Sequence, residues 1–257
     1  MPEGLRIDRD GEVVVVTFDR PEKRNAFDFE LHEAFSSFLY DAAADRSMRV
    51  LVVTGNGKAF SAGGDAQFMA DMRSGKVDPD YVVWAGGRLL RNLLAVPQPV
   101  IAAVNGPAAG LGATIALHCD VVFAAPRASF SDPHVQLGLV AGDGGAVIWP
   151  LVLGPTRAKR YLMTGDPLSA QEAYEAGMVT HLSSDESLLD DAVKFGQRLA
   201  RGPRSAIEGT KAAVNKLLRT WAETVLSESL LAERISMSHP DHDRRVGEFL
   251  EKRFEPF

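Results

Sequence analysis

Residues 97–145 read PQPVIAAVNGPAAGLGATIALHCDVVFAAPRASFSDPHVQLGLVAGDGG, and this stretch decides the fold. Its apolar run Val100–Val104 is too short for a typical helix and suits a strand buried on both faces. Asn105-Gly106-Pro107 breaks the run, and small residues around Gly110-Leu111-Gly112 restart it. A glycine-rich turn that opens a helix leaves backbone N–H groups without carbonyl partners. Those donors and the positive end of the helix dipole form a place to hold an oxygen anion. Residues 100–125 are long and poor in charge, so a membrane crossing competes with a buried core. Pro107, the glycines, Asn105, His118 and Asp120 interrupt the stretch and favour strand, helix and second strand.

Outward from this stretch, strands and helices alternate. Strands are expected at 12–18, 49–54, 120–124 and 128–131, with a last strand-like piece at 178–182. Asp28 reads as a helix N-cap ahead of Leu31, Phe35, Phe38 and Leu39 at helical spacing. Residues 71–80 are polar, contain Gly75 and Pro79, and read as a mobile loop or short insertion before a helix at 82–94. Helices are expected at 156–164, at 170–176 behind a Ser169/Glu172 capping box, at 188–200, at 205–238 with breaks, and at 244–253. The pattern predicts an α/β core followed by a helical subdomain, divided as 1–200 and 201–257.

The chain has 257 residues and 46% hydrophobic content, enough for a large core; its net charge is 28 − 34 = −6. No dense basic block is present, which argues against nucleic acid as a partner. The single cysteine, Cys119, fits a reducing compartment and a buried structural thiol better than a nucleophile. MPEGLRIDRDGE lacks a signal peptide's apolar core, so a cytoplasmic, non-membrane location is expected. His239 and His242 flank a proline without a third ligand, a weak pattern for a metal. Ser61 has no base marked beside it, and His32 and His181 have no discernible partners.

Four segments resemble the crotonase (enoyl-CoA hydratase/isomerase) superfamily. They are Thr54-Gly55-x-Gly57-x-x-Phe60-Ser61-Ala62-Gly63-Gly64-Asp65, then residues 99–112, then Leu162-x-Thr164-Gly165 through Ser169-Ala170 to Gly177-x-Val179, and the tail Phe249-x-Glu251-Lys252-Arg253-x-x-x-Phe257. The resemblance implies a spiral of ββα turns with a C-terminal helical subdomain that builds trimers, often paired as hexamers. It implies acyl-CoA thioester substrates and no metal or redox cofactor. It also implies two backbone N–H groups that hold the thioester oxygen as an enolate forms; the matching positions are Gly64 and Leu111. Arg24 and Ala26 match the CoA phosphate side. Ala62, Asp65 and Gln67 match the adenine and pantetheine wrap, with Asp65 expected to orient its own loop. Phe249 and Lys252 match CoA contacts that often come from a neighbouring subunit.

The acid–base positions depart from the hydratase pattern. Where hydratases of that superfamily carry two glutamates, this chain has Thr114 and His134. What stands instead is His134 with Asp143 nine residues on, a spacing similar to the oxocamphor hydrolase branch, in which such a pair activates water to cleave a C–C bond. A histidine suits proton transfer near neutral pH, and a carboxylate on one ring nitrogen fixes its tautomer. Asp143 competes with a role as cap of the helix beginning near Gly144, and Asp132 competes as the partner of His134 through strand alternation. Three chemistries stay open: enoyl-CoA hydration or isomerisation, retro-Claisen hydrolysis of a β-keto or cyclic β-diketone acyl-CoA, and decarboxylation or thioester hydrolysis. A non-catalytic acyl-CoA-binding protein is the alternative outside enzymes.

Overall fold

Valine, isoleucine and alanine runs that match strand length pair edge to edge into one six-stranded sheet in the computed structural model, which describes residues 4–251, 253 and 256. β1 (Leu5–Asp10) turns back antiparallel on β2 (Val13–Phe18). After α1 (Phe29–Ala44), β3 (Val50–Gly55) pairs parallel with β2. Next come α2 (Ala66–Arg73), α3 (Pro79–Ala95), β4 (Val100–Val104), β5 (Ala108–Ala109) and α4 (Leu111–His118). β6 (Val121–Ala124), β7 (Ser129–Ser131), α5 (Gly145–Leu153) and α6 (Pro155–Thr164) follow. The chain ends with β8 (Leu168–Ser169), α7 (Ala170–Glu175), β9 (His181–Leu182), α8 (Leu188–Ala200), α9 (Arg204–Ser236) and α10 (Pro240–Leu250).

The large sheet runs β1-β2-β3-β4-β6-β9, and β5-β7-β8 form a second sheet. Successive strands therefore split between sheets: β4 then β5, β6 then β7, β8 then β9. This is the expected α/β spiral of ββα turns. The inner strands β2, β3 and β4 are buried along their whole length because helices cover both faces there. Val14, Val16, Leu51, Val53 and Ala102 pack towards Leu31, Phe35, Leu89 and Ile115, whereas Val13, Val15, Val50, Val52 and Ile101 pack on Leu188 and Ala192 of α8. α9 lies across α3 and α5, with Ala222 and Leu226 set against Leu90, Leu94 and Val147.

The structure corrects three boundaries. Residues 71–80 are not a loop throughout: Asp65 caps α2 through the Gln67 N–H, and Asp78 caps α3 with Pro79 in its first turn. Only residues 74–78 lie between the two helices. The expected breaks in the penultimate helix are absent; α9 runs 33 residues without interruption. The final helix starts four residues earlier than expected, because His239 caps it and Pro240 supplies a preset first turn. Residues 100–125 divide into strands and one helix as expected, and among the described residues no helix is long and apolar enough to cross a membrane.

Candidate active site

The site begins where two turns are pressed together. Ser61 bridges Ala108 in parallel, with the Ala109 N–H donating to Ser61 O at 2.9 Å. The Ser61 hydroxyl is fully buried and donates to Asn25 O at 2.8 Å, so it braces the loop. Gly63 sits at φ +82°, and a Cβ there would fall 2.8 Å from Ala109 O. A Cβ on Gly112 would fall 2.7 Å from Ser61 O. Glycine at both positions lets the start of α4 rest directly on the 61–64 loop. The contact brings the Gly64 and Leu111 backbones to the wall of one cavity of about 320 Å³. Neither of these two N–H groups has a partner among the described residues.

Of the positions carried over for CoA, Ala62 and Phe249 line this cavity, and Phe249 does so from the chain's own α10. Arg24 is exposed and left-handed at φ 52°, and its carbonyl accepts from the Ala62 N–H at 3.0 Å. Ala26, Asp65 and Gln67 are not brought to the cavity wall. Ala26 is buried with its carbonyl bonded to Arg20 at 2.9 Å. Asp65 is buried, caps α2 and pairs with Lys23 at 3.1 Å. Burial alone would raise its pKa; the Gln67 N–H and Lys23 outweigh that and lower it. Asp65 therefore ties the end of the 61–65 loop to the start of α2. Gln67 is exposed and bonds Asp71 at 3.0 Å. Lys252 lies outside the described residues.

The opposite wall carries the acids. Asp132 is fully buried and caps the short 3₁₀ turn Pro133–Leu137. Its Oδ1 lies 2.5 Å from His134 Nδ1. The pairing that sequence left to strand alternation is thus made by a capping turn. A Cβ on Gly145 would fall 2.0 Å from Asp132 Oδ2, so α5 must begin with glycine for this carboxylate to fit. On the other side of the ring, His134 Nε2 is 3.6 Å from Asp143 Oδ2, an ion-pair separation longer than a hydrogen bond. Thr114 Oγ1 lies 3.4 Å from Asp143 Oδ1. The N-cap of α5 is Gly144, which makes no side-chain capping bond. The Asp143 carboxylate lies among His134, Thr114 and the Gly145 N–H, whose hydrogen bond opposes the rise of its pKa, so it faces the cavity cluster and the start of α5 together.

Sequence reasoning missed Glu233. This α9 residue is 4% exposed and lines the cavity, and its Oε2 is buried without a hydrogen-bond partner. The signal was available: Ala222, Leu226, Ser229 and Glu233 share the buried stripe of α9, and a carboxylate on such a stripe is anomalous. Burial, reinforced by the negative charge of Asp143, pushes Glu233 up to about 8. Asp143 is likewise raised, first by burial, with His134 opposing. Burial works against charge on His134, but Asp132 and Asp143 outweigh it and raise the imidazole well above its ordinary value. At neutral pH the raised His134 favours the imidazolium, and Glu233 keeps its proton.

Other candidates resolve structurally. The Cys119 thiol is buried, donates to Ile115 O at 3.3 Å and is pushed up by burial. His242 bonds Leu137 O at 2.8 Å, and no cluster of three metal-binding side chains occurs among the described residues. His181 stacks on Phe123, with ring centroids 4.3 Å apart. His32 lines the cavity.

The enoyl-CoA hydratase/isomerase family model matches residues 8–257. The chain belongs to this family. A 1,2-epoxyphenylacetyl-CoA isomerase from Escherichia coli (strain K12) is 35% identical over 253 residues, covering 95% of this chain and 94% of that protein. The crystal structure of an enoyl-CoA hydratase/isomerase from Mycobacterium paratuberculosis matches with a TM-score of 0.93 at 33% identity, over 96% of this chain and 99% of that one. A beta-diketone hydrolase from Anabaena sp. PCC 7120, bound to (S)-3-oxocyclohexyl acetic acid, matches with a TM-score of 0.85 at 31% identity, over 95% and 96%. This member of the hydratase/isomerase family is thus an enzyme with the crotonase fold.

Proposed function

We propose that this protein performs acid–base chemistry on an acyl-CoA thioester whose oxygen is held by the Gly64 and Leu111 N–H groups, in the manner of an enoyl-CoA hydratase or isomerase. One observation carries the reading: two unpartnered backbone donors and the His134–Asp143–Glu233 set line the same cavity. Donors fixed by backbone need no reorganisation as an enolate forms, and losing one such donor costs about 3 kcal/mol of barrier. Asp143 is the base. His134, held by Asp132, supports the charge on Asp143, and protonated Glu233 is the acid. In hydration, water oxygen bonds to Cβ, the water's proton passes to Asp143, and the Cα–Cβ π pair moves into the enolate. Glu233 then delivers a proton to Cα. In isomerisation, one proton leaves carbon for Asp143 and returns to a different carbon of the same dienolate.

A second reading is hydrolytic C–C cleavage. Thr114 and His134 replace the glutamate pair, and the similarity to a beta-diketone hydrolase favours it. Water oxygen would bond to the β-carbonyl carbon as its proton passes to Asp143, the Cα–Cβ bond would break, and its electron pair would enter the thioester enolate, which Glu233 then protonates at Cα. A panel of enoyl-CoA, β-keto acyl-CoA and cyclic β-diketone acyl-CoA esters, followed by mass spectrometry, separates these outcomes. Crotonyl-CoA hydration is expected to be at least about 100-fold below a two-glutamate hydratase. If no ester is bound or converted, the acyl-CoA reading fails. We also infer self-association, in a trimer or a pair of trimers, from the exposed Leu217, Leu231 and Ile235 of α9; light scattering tests it.

A further inference from the structure

Much of the cavity wall is apolar: Phe27, Phe68, Met69, Val82 and Leu139 contribute to it. His32, on α1, interrupts that surface. Its Nδ1 is buried with no hydrogen-bond partner, and no partner is made by the other ring nitrogen among the described residues. The ring touches Phe27 edge-on, with centroids 6.3 Å apart. Tyr81, which shares the wall, is spoken for: its hydroxyl donates to Glu33, which also takes Arg88 at 2.5 Å. Nδ1 is closed off from the cavity, so the ring can meet a ligand only through Nε2. His32 is therefore a polar group on an apolar wall whose one accessible nitrogen has no protein partner; an alkyl chain packed on it would displace its water and leave it unpaired, a cost that a hydrogen-bonding group on the ligand removes.

We propose that His32 selects the acyl group, favouring thioesters whose acyl chain carries a neutral oxygen, a ketone or hydroxyl, over plain alkyl chains. This rests on the acyl-CoA reading above and specifies its substrate class. Neutrality follows from the surroundings. Burial is the largest influence on His32 and pushes it down to about 4, so the ring is uncharged at neutral pH. The cation that acts on it, Arg88, is already paired with Glu33. A carboxylate on the acyl chain would meet no countercharge there. A neutral imidazole has one N–H and one lone pair. No protein partner fixes which nitrogen carries the proton, so the ring can donate to a ketone or accept from a hydroxyl.

The test measures dissociation constants of saturated thioesters that the enzyme cannot turn over by addition to a double bond. Hexanoyl-CoA and octanoyl-CoA are compared with analogues in which a ketone is walked from the fourth to the seventh carbon. Wild-type enzyme is expected to bind at least one keto analogue about tenfold more tightly than its alkyl parent, the size of one net hydrogen bond. In His32→Leu the ratio should fall to about one. In His32→Asn, which keeps a donor and an acceptor, part of the preference should return. Thermal melts establish that each variant is folded, and the wild-type ratios alone decide the matter if a variant is not. Tight binding of all thioesters with no keto preference at any position overturns the His32 assignment and leaves the acyl-CoA reading standing. Binding of no thioester at all overturns both.

Discussion

Glu233→Gln tests the electrostatics of the site through stability rather than through activity. The unfolded chain ionises this glutamate near 4.5, whereas burial and Asp143 hold the folded value at about 8. Between those values the folded state keeps a proton that the unfolded state has lost, so wild-type stability falls as pH rises. One pKa unit corresponds to about 1.4 kcal/mol. The loss is then about 3 kcal/mol between pH 4.5 and 7, levelling near a total of about 5 kcal/mol above pH 8. Glutamine keeps the shape and cannot ionise. Denaturant unfolding of both proteins at fixed concentration should therefore give a stability difference that grows in favour of the glutamine variant across this window and is flat above it. In an Asp143→Asn background the slope should shrink, because Asp143 is the second cause of the shift. A stability difference that stays constant from pH 5 to 8 would refute the reasoning, since Glu233 would then be ionised in the folded protein at neutral pH.

Other perturbations follow from single distances. Gly145→Ala places a methyl 2.0 Å from Asp132 Oδ2; it should cost about 1–3 kcal/mol in denaturant unfolding and lower turnover by loosening His134. Asp143→Asn should lower turnover of the true substrate by about 10²–10⁴-fold with little change in CoA-ester affinity, measured by steady-state kinetics and equilibrium binding. The Cys119 thiol, buried and raised by its surroundings, should react with a thiol reagent only at the rate of unfolding.

Much of this molecule was legible because its chemistry sits next to its backbone signals. The Val100–Val104 run, the breaks at Asn105 and Pro107 and the glycines after them give the strand, turn and helix, and Leu111 follows from them. Gly64 is marked by its place after Gly63, the glycine that the Ala109 carbonyl demands. His134 and Asp143 were visible as residue types; their geometry was not. Asp132 reaches the ring through a 3₁₀ cap rather than a strand, which local alternation does not encode. Glu233 and His32 come from helices distant in sequence, and only packing around the cavity gives them meaning. Boundaries failed where capping decided them: Asp65, Asp78 and His239 each start a helix in polar sequence that reads as loop.

Both proposed chemistries pass through a thioester enolate at Gly64 and Leu111, protonated or deprotonated by the Asp143 cluster. By microscopic reversibility the enzyme must also remove an α-proton from the acyl-CoA product. The direct measurement is deuterium incorporation at Cα of a bound acyl-CoA in heavy water, followed by mass spectrometry. The account predicts catalysed exchange by the wild type that falls at least about 100-fold in Glu233→Gln, because the group that protonates Cα is the one that removes the α-proton. Exchange no faster than in buffer, or undiminished by Glu233→Gln, would contradict it.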